Sequence, residues 1–149
     1  MGTRYKGTKA EVRALDAYIK LVRASESIVG QLGQSLRVED ELTLSQFGVL
    51  EALLHLGLMC QRELGVKILK SSGNVTMVVD NLEKRGLIAR RRSAEDRRVM
   101  EVDLTAKGRA LIKALFPRHA AEITAEMGRL TAAEQKQLGA LCRKLGSGD

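Results

Sequence analysis

The chain has 149 residues, of which 44% are hydrophobic and 29% are charged, a balance typical of a folded domain and not of a disordered segment. Its net charge of +7 favours a polyanionic partner, either nucleic acid or an anionic membrane surface, although an ordinary basic protein kept in solution by its charge has the same balance. The start of the chain does not resemble a signal peptide, and no apolar run approaches the roughly 18 residues needed to cross a bilayer. We therefore predict a cytoplasmic protein.

The residues that usually carry catalysis or bind metals are sparse and scattered. Cys60 and Cys142 lie far apart without a CxxC spacing, which argues against a disulfide framework or a zinc site. His55 and His119 fall on separate predicted helices and have no ligand spacing. No nucleophile–base pair or glycine-rich phosphate loop is present. The sequence predicts no cofactor, no metal site and no enzymatic activity.

The first half of the chain reads as three helices. Apolar residues recur at helical spacing over residues 10–33, and a polar connector, SLRVEDE, follows at 35–41. The segment LTLSQFGVLEALLHLG predicts a second helix capped by Thr43 or Ser45, with Gly57 just beyond its end. The segment MCQRELGVKILKSSGN predicts a shorter third helix that stops near its SSG turn.

The second half adds a fourth helix, a hairpin and two final helices. NVTMVVDNLEKRG predicts a helix opened by Ser72 or Gly73 and ended at Gly86. LIARRR and RRVMEVDL predict two strands joined by the turn SAED. Thr105 is expected to cap the helix TAKGRALIKALF, which Pro117 should kink or end. The segment TAAEQKQLGALCRKLG, residues 131–146, predicts a final helix. Thr131 and Glu134 are expected to form a capping box at its start.

This order predicts a mainly α fold with a small β-hairpin wing. Three short helices followed by a two-stranded hairpin, over residues 43–105, are the arrangement of a winged helix-turn-helix, and the helix-turn-helix is a known DNA-reading unit.

The fourth predicted helix has two distinct faces. Val75, Val78, Val79 and Leu82 form one apolar stripe, which predicts packing against the earlier helices. On the opposite side, the side chains near the start of the helix are short and polar, as they must be for the helix to approach base edges. The alternative is a solvated polar face without a partner. The candidate DNA-binding residues on this helix are Ser72, Gly73, Asn74, Thr76, Met77 and Lys84.

The segment RRRSAEDRRVMEVDL at 90–104 crowds five arginines around the predicted turn. If like charges oppose each other across a two-stranded ladder, they destabilise it, and a densely anionic partner would offset that cost. Arginines at a wing tip can enter a narrow minor groove. Asp96 is expected to accept turn N–H groups and to pair with Arg98. The candidate DNA-binding residues here are Arg91, Arg92, Asp96, Arg97 and Arg98, and Gln61 and Arg62 at the third helix complete the set.

The chain resembles the MarR family of bacterial transcriptional regulators. The segments that carry the resemblance are LTLSQFGVLEAL, NVTMVVDNLEKRGLIARR, EDRR, VDLTAKG and LFPRH. The resemblance implies a single domain over 1–149, with residues 10–34 and 106–146 as dimerisation helices around a DNA-binding lobe at 43–105. It also implies a homodimer on a pseudo-palindromic double-stranded operator and, in many members, a repressor released by a small molecule or by cysteine oxidation.

Two features depart from that resemblance. Members often carry arginine after the threonine that matches Thr76, where this chain has Met77. Peroxide-sensing members use a cysteine near the start of the chain, whereas the first cysteine here is Cys60, which we expect, like Cys142, to be partly buried. The alternatives to a sequence-specific regulator are a non-specific architectural nucleic-acid binder and a winged-helix protein-interaction module.

Overall fold

The computed structural model of the chain describes residues 2–69 and 72–147, and the side chains at 68, 69, 72–74 and 147 lie outside that description. The chain forms two compact units, one up to Leu42 and one from Thr43 onward. The fold is mainly helical with one small sheet, as the sequence predicted.

The first unit is dominated by one long helix, α1 (Lys9–Asp40). Its start is fixed by a capping box, in which Thr8 and Glu11 each accept the other's backbone N–H. The predicted connector at 35–41 is wrong, because the helix continues to Asp40 and ends at Glu41 in the left-handed conformation. No glycine or proline in SLRVED interrupts the helix, and Leu36 is buried.

The second unit begins with α2 (Leu44–Leu56), whose limits confirm the predicted signals. Thr43 caps the helix in a capping box with Gln46, and Gly57 ends it at a φ of 78°. Phe47, Val49, Leu50 and Leu53 are buried, so α2 forms the centre of the core of this unit.

The predicted third helix is shorter than expected. Met59–Cys60 is a strand, β1, and the helix α3 covers only Gln61–Leu64 before a π-helical turn at Gly65–Leu69. Because Met59 and Cys60 pair with Val102 and Glu101, the predicted two-stranded hairpin is in fact part of a three-stranded antiparallel sheet. The pairing with a distant strand overrides the local helical pattern.

Helix α4 (Ser72–Lys84) is followed by a turn at Gly86, which has a φ of 72°. The strands β2 (Ile88–Arg92) and β3 (Met100–Leu104) then form the wing, with β3 in the centre of the order β1-β3-β2. Alternate side chains of β3 face the core, since Val102 and Leu104 are buried.

Helix α5 (Ala106–Met127) starts at Thr105, which accepts the Gly108 N–H and donates its hydroxyl to the Gly86 carbonyl at 2.6 Å. Gly108 has no room for a Cβ against the Leu87 carbonyl, so α5 starts very close to the turn between α4 and β2. The helix runs through Pro117 and does not end there as one alternative predicted.

The last helix is α6 (Ala132–Ser147), and Thr131 and Glu134 form the predicted capping box at its start. Every side chain from 132 to 146 is exposed except that of Gln135. Among the described residues, no helix is both long and apolar enough to cross a membrane.

Candidate nucleic-acid interface

Helix α4 has one buried face and one exposed face, as its sequence predicts. Val75, Val79 and Leu82 are buried against the rest of the unit. On the other side Thr76 and Lys84 are exposed, and Met77 keeps 65% of its surface exposed. The predicted side chains of Ser72, Gly73 and Asn74 lie outside the described residues.

Helix α3 lies directly against α4. A Cβ on Gly65, the first residue of the π-helical turn after α3, would be 2.5 Å from Val75 Cγ2, so the absence of a side chain there allows this turn to pack closely on α4. Gln61 Nε2 donates to Thr76 Oγ1 at 3.5 Å, and Arg62 is exposed beside it. These contacts hold α3 and the turn after it against the first turns of α4, as a helix-turn-helix requires.

A groove of about 940 Å³, which we call the α3–wing groove, lies between α3, α4 and the turn at the tip of the wing. Its walls contain five of the residues predicted to contact DNA, contributed by three separate elements: Gln61, Arg62, Thr76, Asp96 and Arg98. Cys60, Val66, Val75 and Met100 add apolar side chains to its lining. The predicted residues Met77, Lys84, Arg91, Arg92 and Arg97 lie outside the groove wall but are exposed.

The first wing arginine is bound internally. Arg90 Nη2 lies 2.6 Å from Asp80 Oδ1 and 3.0 Å from Glu83 Oε1, and the Arg90 backbone N–H donates to Glu83 Oε2 at 3.3 Å. We call these three residues the arginine clasp. Because the clasp joins α4 to β2, it fixes the angle of the wing relative to the helix.

The electrostatics of the arginine clasp follow from these contacts. The side-chain hydrogen bond from Arg90 lowers the pKa of Glu83 below its ordinary value, and the same bond raises the pKa of Arg90. The sequence did not predict that Arg90 would join Asp80 and Glu83 in this cluster. The signal was available, since Asp80 and Glu83 are spaced i, i+3 on one helix.

The remaining strand arginines do not oppose one another. Across the ladder, Arg91 faces Glu101 and Arg92 faces Met100, and Arg91 Nε lies 3.2 Å from Glu101 Oε2. Arg92 Nη1 donates to the Arg97 carbonyl at 2.9 Å. The expected like-charge repulsion across the ladder is therefore wrong, because the register pairs the arginines with an acid and with apolar residues.

The wing turn is held by short local hydrogen bonds. The Ser93 hydroxyl, which is buried, accepts the Glu95 and Asp96 N–H groups at 3.2 and 3.5 Å. Asp96 accepts the Arg98 N–H at 3.0 Å and its guanidinium at 3.1 and 3.2 Å, as predicted. These bonds lower the pKa of Asp96.

Arg97 and Arg98 therefore belong to the turn and not to the predicted second strand, which begins only at Met100. Asp96 orients the Arg98 guanidinium while 91% of that side chain stays exposed. The tip of the wing thus presents a fixed, solvated positive charge at the edge of the α3–wing groove.

The histidine and cysteine side chains noted in the sequence differ in their surroundings. His119 is buried with its ring 4.1 Å from that of Phe47, and burial lowers its pKa. Cys60 is half-buried as predicted, whereas Cys142 is exposed and not partly buried. Within residues 2–69 and 72–147, no cluster of His, Cys, Asp and Glu is placed to hold a metal ion.

Comparison with known proteins places this geometry in a family. The model of the MarR family matches residues 42–100, from the last residue of the first unit to the start of β3. The HTH-type transcriptional regulator MhqR of Bacillus subtilis is 36% identical over 134 residues, which are 90% of this chain and 92% of that regulator. The chain belongs to the MarR family.

Solved structures agree with this assignment. BpsR of Bordetella bronchiseptica, whose DNA binding is regulated by 6-hydroxynicotinic acid, matches with a TM-score of 0.83 and 27% identity over 99% of this chain and 100% of that chain. Sco3205, a MarR family regulator of Streptomyces coelicolor solved with DNA, matches with a TM-score of 0.86 over 99% of this chain and 92% of that one. Because its identity is 21%, Sco3205 supports the fold alone. The predicted winged helix-turn-helix and the predicted class of DNA-binding transcriptional regulator are confirmed.

Proposed function

We propose that this MarR family protein is a homodimeric repressor that binds a pseudo-palindromic operator through α4 and the wing, and that a small molecule releases it. The observation that carries the proposal is the α3–wing groove, where α3, α4 and the wing tip bring together donors for a DNA strand. Arg62 and Arg98 supply positive charge there, while Gln61 and Thr76 supply hydrogen-bonding groups.

In this proposal α4 and the wing tip, on two sides of the α3–wing groove, have different tasks. An α-helix such as α4 fits into the major groove of a duplex, in which base edges are distinguishable. The wing tip then lies beside the same duplex, where Arg98 meets the backbone or the adjacent minor groove. The carboxylates near this surface are compatible with a bound duplex. Asp80, Glu83 and Asp96 are all paired with arginines, which reduces their repulsion of DNA phosphates.

The dimer is proposed from two uncovered apolar stripes. On α6, Leu138, Leu141 and Leu145 recur at i, i+3 and i+7 and are 37%, 58% and 71% exposed. On α1, Tyr18 and Val29 are 62% and 49% exposed within its predicted apolar face. We assign residues 10–34 and 106–146 to dimerisation and 43–105 to DNA binding, with the two α4 helices about 34–36 Å apart, one turn of the duplex.

Release by a small molecule requires a ligand that binds one arrangement of the subunits more tightly than the DNA-bound arrangement. The regulation of BpsR by 6-hydroxynicotinic acid supports this part of the proposal, because that protein matches nearly the whole chain. The PcaV regulator of Streptomyces coelicolor, solved with its natural ligand, has the same fold. The proposed location is the cytoplasm, where the operator DNA is found, and the proposed role is binding and not catalysis.

Selection of bound duplexes from a random pool tests the DNA-binding part of the proposal. We expect an enriched inverted repeat with half-site centres about 10–10.5 base pairs apart. Equal affinity and equal salt dependence for all duplexes would instead identify a non-specific architectural binder. No binding to any duplex in dilute buffer would favour a protein-interaction module.

Sedimentation equilibrium of two leucine variants tests the proposed dimer. Leu141→Glu places a charge in the α6 stripe, and we expect it to yield monomers because the charge would be buried in the dimer. Leu56→Glu is the matched control, since Leu56 on α2 is also 58% exposed, and it should leave a dimer. A dimer that survives Leu141→Glu would remove α6 from the interface.

A further inference from the structure

Met77 is unusual on the outward side of α4. Among the side chains of this helix that the structure describes, it is the only large apolar one that is exposed, at 65%. Its neighbours on that side are Thr76, Asp80 and Asn81, about one turn away or less, and Lys84, about two turns further along the helix. It lies on the side of α4 opposite to the stripe that packs into the core.

The chemistry of a methionine side chain limits what it can recognise in a duplex. It carries no N–H or O–H group, so it cannot donate to a base edge or to a phosphate. The only apolar group that a base pair presents in the major groove is the 5-methyl group of thymine. The unbranched thioether of methionine adapts its shape to such a small apolar target.

The polar groups around Met77 leave that target available to it. Asp80, one turn further along the same side, would otherwise accept a hydrogen bond from cytosine, but its carboxylate is engaged by Arg90 at 2.6 Å. Lys84 lies near the end of the helix, where it favours the backbone. Thr76, the adjacent exposed residue, lines the α3–wing groove and has a hydrogen bond with Gln61.

We propose that Met77 determines operator specificity by packing on a thymine 5-methyl group in the major groove of each half-site. This inference rests on the proposed function, since it requires α4 to read bases. It assigns Met77 the recognition of one base by apolar contact, in place of a hydrogen bond or a phosphate contact. Its partner is therefore a methyl group that can be removed from the DNA without changing base pairing.

Replacement of thymine by deoxyuridine tests the proposal on the operator obtained by selection. The replacement removes the 5-methyl group and keeps every Watson–Crick hydrogen bond. Each thymine of a half-site is replaced in turn, with its symmetric counterpart, and the dissociation constant is measured. We expect one position to weaken binding by about fourfold per half-site, the value of burying one methyl-sized group, and therefore by roughly fifteenfold for the pair.

Three variants identify the residue that reads the methyl group. Met77→Ala and Met77→Gln should bind the thymine and deoxyuridine duplexes equally, whereas Met77→Leu should keep the difference because it keeps the apolar contact. Leu56→Ala, which removes an exposed apolar side chain from α2, should also keep the difference. The melting temperature of each variant is measured to confirm that it is folded, as expected for an exposed position.

The outcomes separate this inference from the function on which it rests. Tight binding to the selected operator with no effect of deoxyuridine at any position would overturn the role of Met77 and leave the regulator intact. A methyl effect that persists in Met77→Ala would assign the reading to another residue and overturn it as well. Failure to select any operator would overturn the proposed function itself.

Discussion

Arg90 and Arg98 are the same residue type in one wing, yet their surroundings differ in almost every respect. Arg90, on β2, is 21% exposed and is bound by two carboxylates of α4. Arg98, in the turn, is 91% exposed and is bound by one carboxylate from its own loop. The comparison shows that positive charge in this wing has two purposes, since Arg90 holds the wing in place while Arg98 faces outward.

Burial explains how the two arginines come to differ. The contacts of Arg90 join two elements, so the loss of its charge leaves Asp80 and Glu83 facing each other without a cation. The contacts of Arg98 stay within a few residues, and solvent replaces them easily. Removing Arg90 should therefore affect folding, and removing Arg98 should affect binding.

The largest expected effect is on DNA affinity in Arg98→Ala. We expect about tenfold weaker binding per wing, equivalent to one lost charge-assisted contact, and therefore up to about a hundredfold for a dimer with two wings. The loss should be similar for selected and random duplexes, with a salt dependence shallower by about 0.9 per lost phosphate contact. Fluorescence anisotropy over a range of salt concentrations measures both quantities.

Arg129→Ala is the matched control for that measurement. Arg129 lies beyond α5, is 77% exposed and also pairs with one glutamate, so its removal lowers the net charge equally. It should change affinity far less than Arg98→Ala, and because Arg129 lies in the proposed dimerisation segment, sedimentation equilibrium checks that the variant is still a dimer. Equal losses in the two variants would mean that net charge, and not the position of the wing tip, determines binding.

A smaller effect, on folding, is expected for Arg90→Met. The methionine keeps most of the aliphatic stem but removes the clasp, and we expect the free energy of unfolding to fall by about 1–2 kcal/mol, a value reduced because both carboxylates are 41% exposed. Arg91→Met removes only the single exposed pair with Glu101 and should cost less than about 0.5 kcal/mol. Urea unfolding of both variants gives the comparison, and equal midpoints would show that the clasp does not stabilise the fold.

The smallest expected effect is the pH dependence of the difference in unfolding free energy between the wild type and Arg90→Met. The pKa of Glu83 is lower in the folded chain than its ordinary value of 4.5, so the clasp contributes its full stability above about pH 4.5 and loses it as the pH falls through the folded-state pKa. The gap in stability between the wild type and Arg90→Met should therefore narrow in acid. A gap that stays constant from neutral pH to about pH 3 would exclude Glu83 as its source.

The features that the sequence predicted best are those decided within one turn of helix. Thr43, Thr105 and Thr131 cap their helices as predicted, because each hydroxyl needs only a backbone N–H three residues away. The Asp96–Arg98 contact was predictable for the same reason, since its partners are two residues apart. Local geometry alone determines such contacts.

The features that were missed depend on partners far along the chain. Met59 and Cys60 become a strand only because β3 lies beside them, and the local sequence shows only a helical pattern. Arg90 lies in a run of three arginines, and only the packing of β2 on α4 distinguishes it from Arg91 and Arg92. The register that separates the arginines likewise requires the folded sheet.

The exposed leucines of α6 link the stability of this regulator to its abundance. In the proposed dimer, burying Leu138, Leu141 and Leu145 contributes free energy only when two copies meet, so mass action makes the melting temperature rise with protein concentration. A cell that holds few copies then contains a larger share of separate, less stable chains, which are the ones open to proteolysis. Copy number thus sets both operator occupancy and the lifetime of each chain.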